Sequence, residues 1–433
     1  MKVLFTFGGL PHYYNAILNK LNNVDGLEIH VVVPETNFNT IGKGVYQTQE
    51  GIKFRLHSLP EYKTYYGKSF FRNFLKLVKN EKPEIIVTIW PYILGFIFYP
   101  YLFLLLKFYG IKLILKEIPF QVPKYNEAKK FYRNGKLVDE NLKNQLDGLS
   151  YIGYFKYDFL TLIRAVYYKI IDAEVVYIED AYDILSSYGV RKEKIFLIYN
   201  SPDTDELIKI KYEIDMMPPI LPDNKQRLIH VGRLVKWKKI DLLINSFAII
   251  KNKYPQAELI IIGDGPEEYN LKQQAYKLLP DDSIKFVGGI YDPRLLGQYI
   301  STSSIYVLAG MGGLSINEAM CFGKPVICSV CDGTEKKLVR DNYNGKIFIE
   351  DNVNDLAEKI DFLFSNPELI DRMGKNSEKI ITEEININTV IKGYLRAFNY
   401  VTTDRKQLKK NKLNNEEYPN LYLQKNKSEF RSF

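Results

Sequence analysis

Between Ile305 and Ser329 the chain reads IYVLAGMGGLSINEAMCFGKPVICS, and few folds accept that order of residues. Ile305 to Leu308 is a continuous apolar run, as expected of a parallel strand covered on both faces. Gly310, Gly312 and Gly313 then allow a sharp turn and a close approach of backbone to a ligand. Leu314 to Phe322 has helical character and stops at Gly323, with Pro325 beyond it. Val326 to Cys328 is a second apolar strand. A glycine turn that feeds a helix presents free N–H groups and the positive end of the helix dipole, which suits a phosphate. Glu318 lies one turn into that helix and shares a stripe with Leu314, so it points toward the structure or a cleft. A carboxylate there needs hydrogen-bond donors, and ribose hydroxyls would serve. The alternative is a plain βαβ connection with Glu318 paired to a basic neighbour.

The same alternation runs through the chain. In the first half, Val3 to Phe7, Leu27 to Val33, Ile52 to Leu59, Ile85 to Ile89, Lys112 to Leu115, Val175 to Ile178 and Ile195 to Ile198 read as strands. Helical stretches separate most of them, including Asn15 to Leu21, Phe70 to Val78, Ile163 to Ile171 and Tyr182 to Tyr188. The rhythm breaks over Asp203 to Gln226, where MMPPILPDNK is rich in proline. Such a break between two patterned halves reads as an interdomain connection. Strands then resume at Leu228 to Val231, Leu259 to Ile262, Ile284 to Val287, Ile305 to Leu308 and Val326 to Cys328. The expected fold is α/β, with two Rossmann-like doubly wound domains facing a cleft. The first spans 1–205 and the second 206–385, with a linker at about 204–226. A helix at 386–401 and a basic tail at 402–433 complete the chain.

Composition narrows the classes of function. With 433 residues, two domains are natural, and the formal charge of +8 favours anionic partners. No RNA-recognition, cold-shock or zinc-finger signature is present, which argues against nucleic acid. Cys321, Cys328 and Cys331 are too few for a disulfide framework and lack a fourth ligand at zinc spacing. They read as small buried hydrophobes, the four histidines look scattered, and no metal is expected. No signal peptide is visible, so a cytoplasmic location is expected. Ile85 to Leu106 carries no charge and is long enough to span a bilayer, but Pro91, Gly95 and Pro100 interrupt it. A strand followed by a surface-inserted helix fits better, which predicts a peripheral contact at the inner face of a membrane.

Four further segments carry candidate chemistry. HVGRLVKWKK, from His230 to Lys239, follows a strand and places Arg233 and Lys238 at the mouth of the next helix. Two fixed cations beside a glycine turn suit a diphosphate. IIIGDGP, from Ile260 to Pro266, is a strand ending in a glycine turn. FVGG, from Phe286 to Gly289, is another strand end, where the backbone of Gly288 and Gly289 is placed to read a base edge. NSPD, from Asn200 to Asp203, lies where the first domain ends. Asp203 and Asp205 form a D-x-D pair, which at this place reads as a hinge or a helix cap.

As an ordered set, GRL-x3-K, GDGP, FxG and GGL-x3-EA-x3-G-x-PVI resemble the retaining, nucleotide-sugar-dependent glycosyltransferases of GT-B family 4. The resemblance covers roughly Lys2 to Val401 and is strongest in the second half. It implies a donor held by the second domain, an acceptor held by the first, and a last helix that crosses back to the first. Carried over by position, Arg233 and Lys238 hold the donor diphosphate and stabilise the leaving group. The backbone N–H groups of Gly313 and Leu314 add to that contact, Met311, Gly312 and the backbone near Gly310 are left to contact the sugar unless another side chain reaches in, and Glu318 takes the ribose hydroxyls. Gly8 and Gly9 match the family's glycine turn after the first strand. No cofactor is implied beyond the nucleoside-diphosphate sugar itself.

Three departures stand out. The family usually has two glutamates separated by seven residues, and Gly310 occupies the position of the first. Lys239 stands where glycine is usual and is expected to add positive charge. In the first domain, family members often have a histidine after the strand matched by Lys112 to Leu115, where this chain reads KEIPF. Glu117 is therefore a candidate acid/base or sugar-orienting group, with His12 of GGLPHYY as the alternative. A salt bridge from Glu117 to Lys116 or Lys124 is the structural reading of the same residue. The resemblance implies transfer of a sugar to a glycan or lipid-linked oligosaccharide in polysaccharide assembly. The missing glutamate also leaves room for a non-catalytic nucleotide-sugar-binding partner of another transferase, and a GT-B nucleotide-sugar epimerase is a third option.

Overall fold

The apolar runs become two all-parallel sheets. The computed structural model describes residues 1–35, 47–117, 122–134, 137–138, 145–146, 151–280, 282–331 and 333–403. The first sheet has seven strands: β1 (Lys2–Thr6), β2 (Glu28–Pro34), β3 (Arg55–Leu59), β4 (Ile85–Thr88), β5 (Lys112–Glu117), β6 (Ala173–Val176) and β7 (Ile195–Leu197). Their order is β7-β6-β5-β4-β1-β2-β3, and every pair is parallel. The second sheet has six strands: β8 (Arg227–Val231), β9 (Glu258–Ile262), β10 (Ile284–Gly288), β11 (Ile305–Leu308), β12 (Val326–Cys328) and β13 (Gly345–Ile347). Its order is β10-β9-β8-β11-β12-β13, again all parallel.

Parallel strands require crossovers, and the crossover helices cover both faces. That is why strand residues such as Val3, Ile86, Ile114, Leu259 and Val307 are fully buried. The strand order reverses between β1 and β4 in the first sheet and between β8 and β11 in the second. At such switch points the loops after neighbouring strands diverge and leave a crevice at the strands' carboxyl ends.

The helices used below are α1 (His12–Asn22), α2 (Pro100–Phe108), α3 (Tyr151–Ile170), α4 (Thr204–Asp215), α5 (Ile240–Lys253), α6 (Ser315–Cys321) and α7 (Ile387–Thr402). The chain divides into two compact units. One holds Met1–Leu137, Leu146–Tyr199 and the chain from Asn388, and the other holds Val138–Gln145 and Asn200–Ile387. Helix α7 thus belongs to the first unit, where Tyr394 and Phe398 set their rings edge-on to Phe5 at 5.8 and 6.4 Å. The tail from 404 lies outside the described residues.

Three sequence expectations change. The predicted linker at 204–226 begins with helix α4, whose Leu207, Ile210 and Ile214 are buried within the second unit. Their spacing is a helical stripe, and only the proline-containing part after Asp215 lacks an element. The strand expected over Ile52 to Leu59 starts at Arg55. The long uncharged stretch splits into β4, two short helical turns at Tyr92–Leu94 and Gly95–Phe98, and α2. Among the described residues, no helix is long and apolar enough to cross a membrane.

Candidate functional site

Two of the predicted loops meet at the second sheet's switch point. After β8 the chain runs through Gly232–Val235 into a tight turn at Lys236–Lys238 and then α5. After β11 it runs through Ala309–Leu314 into α6. The Met311 N–H donates to the Trp237 carbonyl at 2.9 Å. Lys238 is buried, and its Nζ donates to the carbonyls of Met311 and Gly312 at 2.8 and 2.7 Å. The lysine therefore holds the glycine turn in place as well as bringing its charge there. Arg233 lies half-buried over the Trp237 ring, with its guanidinium carbon 5.6 Å from the ring centre. That stacking limits the arginine's freedom.

Gly310 has a physical reason to lack a side chain. A Cβ there would lie 2.2 Å from the Trp237 carbonyl oxygen and 2.8 Å from the Lys238 Cα. The two loops are in backbone contact, so the glutamate expected from the family pattern has no room in this arrangement. A carboxylate nevertheless serves this turn. Glu335, fully buried, accepts from the N–H of Gly312 at 3.0 Å and from that of Gly333 at 3.1 Å. Sequence reasoning missed it because it lies in another loop, beyond β12, and nothing in its neighbours marks it.

Glu318 is partly exposed on α6, and its carboxylate has no hydrogen-bond or ion-pair partner among the described residues. Burial pushes its pKa up to about 7. The described residues thus offer it no basic partner. The N–H groups of Gly313 and Leu314 likewise meet no acceptor among the described residues. A carboxyl group and two backbone donors thus lie within one helical turn, just after the glycine turn that Lys238 holds.

The other strand ends frame this centre. A Cβ at Gly263 would fall 1.9 Å from the Gly232 carbonyl oxygen, so the GDGP and GRL backbones touch. The Leu234 N–H donates to the Asp264 carbonyl at 2.8 Å. Gly288 and Gly289 follow the next strand, but the Gly289 N–H already donates to an Asp264 carboxylate oxygen at 2.8 Å. The Gly288 carbonyl accepts from the Gly263 N–H at 2.8 Å. These two groups hold the loops to one another instead of facing outward. Lys239 adopts a left-handed conformation, φ 51°, which explains why glycine suits the position. Its Nζ lies 2.6 Å from Glu350 and 2.8 Å from Asp351, so the extra charge expected there is paired.

His230, on β8, was not singled out by sequence. Its Nδ1–H donates to the Val307 carbonyl at 2.9 Å, and its Nε2 is buried without a partner. Burial lowers its pKa to about 4, so the ring is neutral and Nε2 is a bare acceptor beneath Gly232.

The remaining predicted residues lie in the first unit. Gly8 and Gly9 are buried in the turn after β1, and His12 is exposed at the start of α1. Glu117, at the end of β5, turns toward α3, where the Tyr168 hydroxyl donates to its carboxylate at 2.6 Å. Burial raises its pKa and Arg164 opposes the rise. Neither lysine expected to pair with it does so: Lys124 is 3.6 Å from Asp183, and the Lys116 ammonium lies over aromatic rings, with no carboxylate partner among the described residues.

Asp203 caps α4 by accepting from the Glu206 N–H at 3.4 Å, which fits the helix-cap reading of the D-x-D pair. The histidines are not all scattered. His30 Nδ1 and His57 Nε2 are 3.0 Å apart on adjacent strands, and Glu81 lies near them. Lys2 and Arg55 reach the same Glu81 oxygen at 3.2 and 3.5 Å, so its charge is already balanced. Cys321 and Cys328 are buried, and Cys331 is partly exposed.

Residues 213–380 match the family described as Glycosyl transferases group 1. The second unit carries a glycosyl transferases group 1 domain. An uncharacterised glycosyltransferase of Haemophilus influenzae is 33% identical over 181 residues, which is 40% of this chain and 50% of that protein. The poly(ribitol-phosphate) alpha-N-acetylglucosaminyltransferase of Staphylococcus aureus is 27% identical over 175 residues, or 39% of this chain and 34% of that protein. The chain thus spans half or less of the length of these curated relatives. The crystal structure of Anabaena HepE with UDP superposes with a TM-score of 0.63 at 16% identity, covering 92% of this chain and 99% of that one. At that identity the likeness concerns the fold, and the fold is that of the GT-B glycosyltransferases. Arg233, Lys238, the glycine turn and Glu318 all fall inside the group 1 domain.

Proposed function

We propose that this chain is a metal-independent, retaining glycosyltransferase that moves a sugar from a nucleoside-diphosphate sugar to a hydroxyl of a glycan or lipid-linked oligosaccharide. The observation that carries the proposal is Glu318. A carboxylate with no partner among the described residues, held where burial raises its pKa, is costly unless a ligand supplies hydroxyl donors. A ribose supplies two on adjacent carbons. The diphosphate then lies toward the Gly313 and Leu314 N–H groups and the cations Arg233 and Lys238.

As the glycosidic bond to the donor breaks, negative charge grows on the departing phosphate. Lys238 and Arg233 are fixed before that happens, one by two carbonyls and the other by Trp237, so they need not reorganise. The two carbonyls offset part of the lysine's charge. Anabaena HepE, similar in fold, has been crystallised with UDP and with UDP-glucose, which supports this class of donor. The Staphylococcus aureus relative is named for transfer to poly(ribitol-phosphate), which supports a cell-surface polymer as the destination.

A membrane-proximal acceptor fits the first unit's surface. Helices α2 and α3 follow β4 and β5, and both crossovers step the same way along the sheet, so right-handed connections place them on one face. On α2, Tyr101, Leu104 and Phe108 are exposed; on α3, Phe155, Phe159, Leu162 and Val166 are exposed. Each set follows helical spacing. Contiguous apolar stripes turned to solvent, on a chain of net charge +8, suit an anionic lipid surface at the inner face of a membrane.

The deciding experiment incubates the protein with a panel of nucleotide sugars and reads released nucleoside diphosphate, with and without a lipid-linked acceptor. Release that requires acceptor is expected. Calorimetric binding of UDP with no release from any donor would instead support the non-catalytic binding partner that Gly310 suggests.

A further inference from the structure

The position just before Glu117 holds a second ionisable side chain whose role neither the resemblance nor the group 1 domain covers. Successive strand residues point to opposite faces, so Lys116 turns away from the α3 cluster that receives Glu117. Its ammonium lies 4.7 Å from the centre of the Tyr177 ring, 4.8 Å from that of Tyr14 and 6.0 Å from that of Phe7. Phe7 follows β1 and Tyr177 follows β6, so the box is built on α1 and at the carboxyl ends of β1, β5 and β6. The rings are locked in position. The Tyr14 hydroxyl is 2.6 Å from that of Tyr177 and 3.1 Å from that of Tyr394.

Among the described residues, nothing accepts a hydrogen bond from Lys116 and no carboxylate pairs with it. The stem packs as in a snorkelling lysine, but the ammonium lies over the faces of buried rings while the residue keeps some exposure, so it is open to a ligand as well as to water. A methyl-terminated side chain would pack there at lower cost. The arrangement leaves three ammonium donors for an acceptor that the described residues do not provide.

We infer that Lys116, with Phe7, Tyr14 and Tyr177, forms a subsite for a phosphoryl group of a substrate at the carboxyl edge of the first sheet. It rests on the proposed transferase reading only in the word substrate; the subsite is defined by the first unit alone. The rings hold the ammonium in a fixed place, and an incoming phosphoryl oxygen supplies the missing acceptor. In the proposed reaction, an acceptor with a phosphomonoester or diester carries that chemistry.

The experiment follows carbamylation of Lys116 by cyanate in the full-length protein, read by peptide mass spectrometry against the exposed Lys156 as internal control. Inorganic phosphate at about ten times its Kd should slow labelling of Lys116 about tenfold and leave Lys156 unchanged. Glycerol phosphate and UDP are the two further arms. Protection by phosphate and glycerol phosphate but not by UDP supports an acceptor's phosphate at the subsite, and protection by UDP alone overturns it. Equal labelling of Lys116 with and without all three overturns it. The variants Lys116→Met and Lys116→Arg are compared by calorimetry with phosphate. Loss of phosphate binding in the first and its retention in the second is expected, with circular dichroism showing both folded. Phosphate binding that persists unchanged in Lys116→Met also overturns the subsite. UDP binding to the second unit is measured on the same samples. Its absence in the unchanged protein counts against the transferase reading and leaves the phosphate result standing.

Discussion

Glu318 and Lys116 are ionisable groups that their surroundings have moved toward neutrality in opposite senses. Glu318 titrates near 7 because burial disfavours its charge. A folded pKa above the unfolded value means that the native state binds more protons between them. This group's stabilising contribution is therefore complete below about pH 4.5 and is lost as pH rises through about 7. Hydroxyl donors from a ribose favour the ionised form, so UDP binding should release a proton below pH 7 and strengthen as pH rises. Calorimetry in buffers of different ionisation enthalpy reads that proton directly. Glu318→Gln should keep or raise the melting temperature at pH 8, because it removes a penalised charge. The same change should weaken UDP binding by about 10- to 100-fold, as expected for losing hydrogen bonds to a charged acceptor. Unchanged affinity would remove Glu318 from the ribose site. Lys116 has the reverse sign. Its pKa is lowered to about 7 by burial alone, and the groups facing it, Phe7, Tyr14 and Tyr177, carry no charge to oppose that. An anion that keeps it protonated should bind more weakly as pH rises above 7.

The elements that matter most are the two loops at the second sheet's switch point, because each holds the other. The turn before α5 supplies the Trp237 carbonyl and the Lys238 ammonium, and the turn before α6 supplies the Met311 N–H and two carbonyls. Gly310→Ala places a methyl group 2.2 Å from the Trp237 oxygen. It should cost about 1–3 kcal/mol as the backbones part, and UDP affinity should fall with it. Chemical denaturation and calorimetry check the two effects separately. Glu335→Gln replaces one accepting oxygen with a donor that faces the N–H of either Gly312 or Gly333. A loss of about 1–3 kcal/mol is expected, with faster hydrogen exchange at Gly312. The glycine turn and its helix were legible in the sequence, because the spacing of glycines and apolar residues is local. Glu335 was not, because its role depends on a loop brought in from beyond β12. The linker was misread for a related reason: prolines after Asp215 drew attention away from the helical stripe of Leu207, Ile210 and Ile214.

On the scale of the molecule, the chain is two parallel sheets with separate tasks. The second unit carries the group 1 domain and the cluster around Glu318; the first carries an apolar surface and the Lys116 box. If the exposed faces of α2 and α3 meet lipid, the protein should sediment with anionic vesicles and less so as salt is raised. Phe108→Ser and Phe159→Ser, at positions 82% and 51% exposed, should each lower vesicle affinity about tenfold without changing the melting temperature. Equal sedimentation of both variants would rule the surface out as the contact. The sequence by itself determined the class of fold, since all-parallel sheets demand continuous apolar strands separated by helices, and that pattern is local. It also marked Arg233, Lys238 and the glycine turn, because the loops that carry them directly follow strands. Only the tertiary structure decided which charges are spent and which are available. Lys239 is paired with Glu350 and Asp351, and Glu117 lies against Tyr168 and Arg164, while Glu318 and Lys116 lack partners among the described residues. The reason is that hydrogen bonding and desolvation depend on neighbours far away in the chain. No spacing rule could tell Lys116 from Glu117, which differ by one residue and face opposite sides of the sheet.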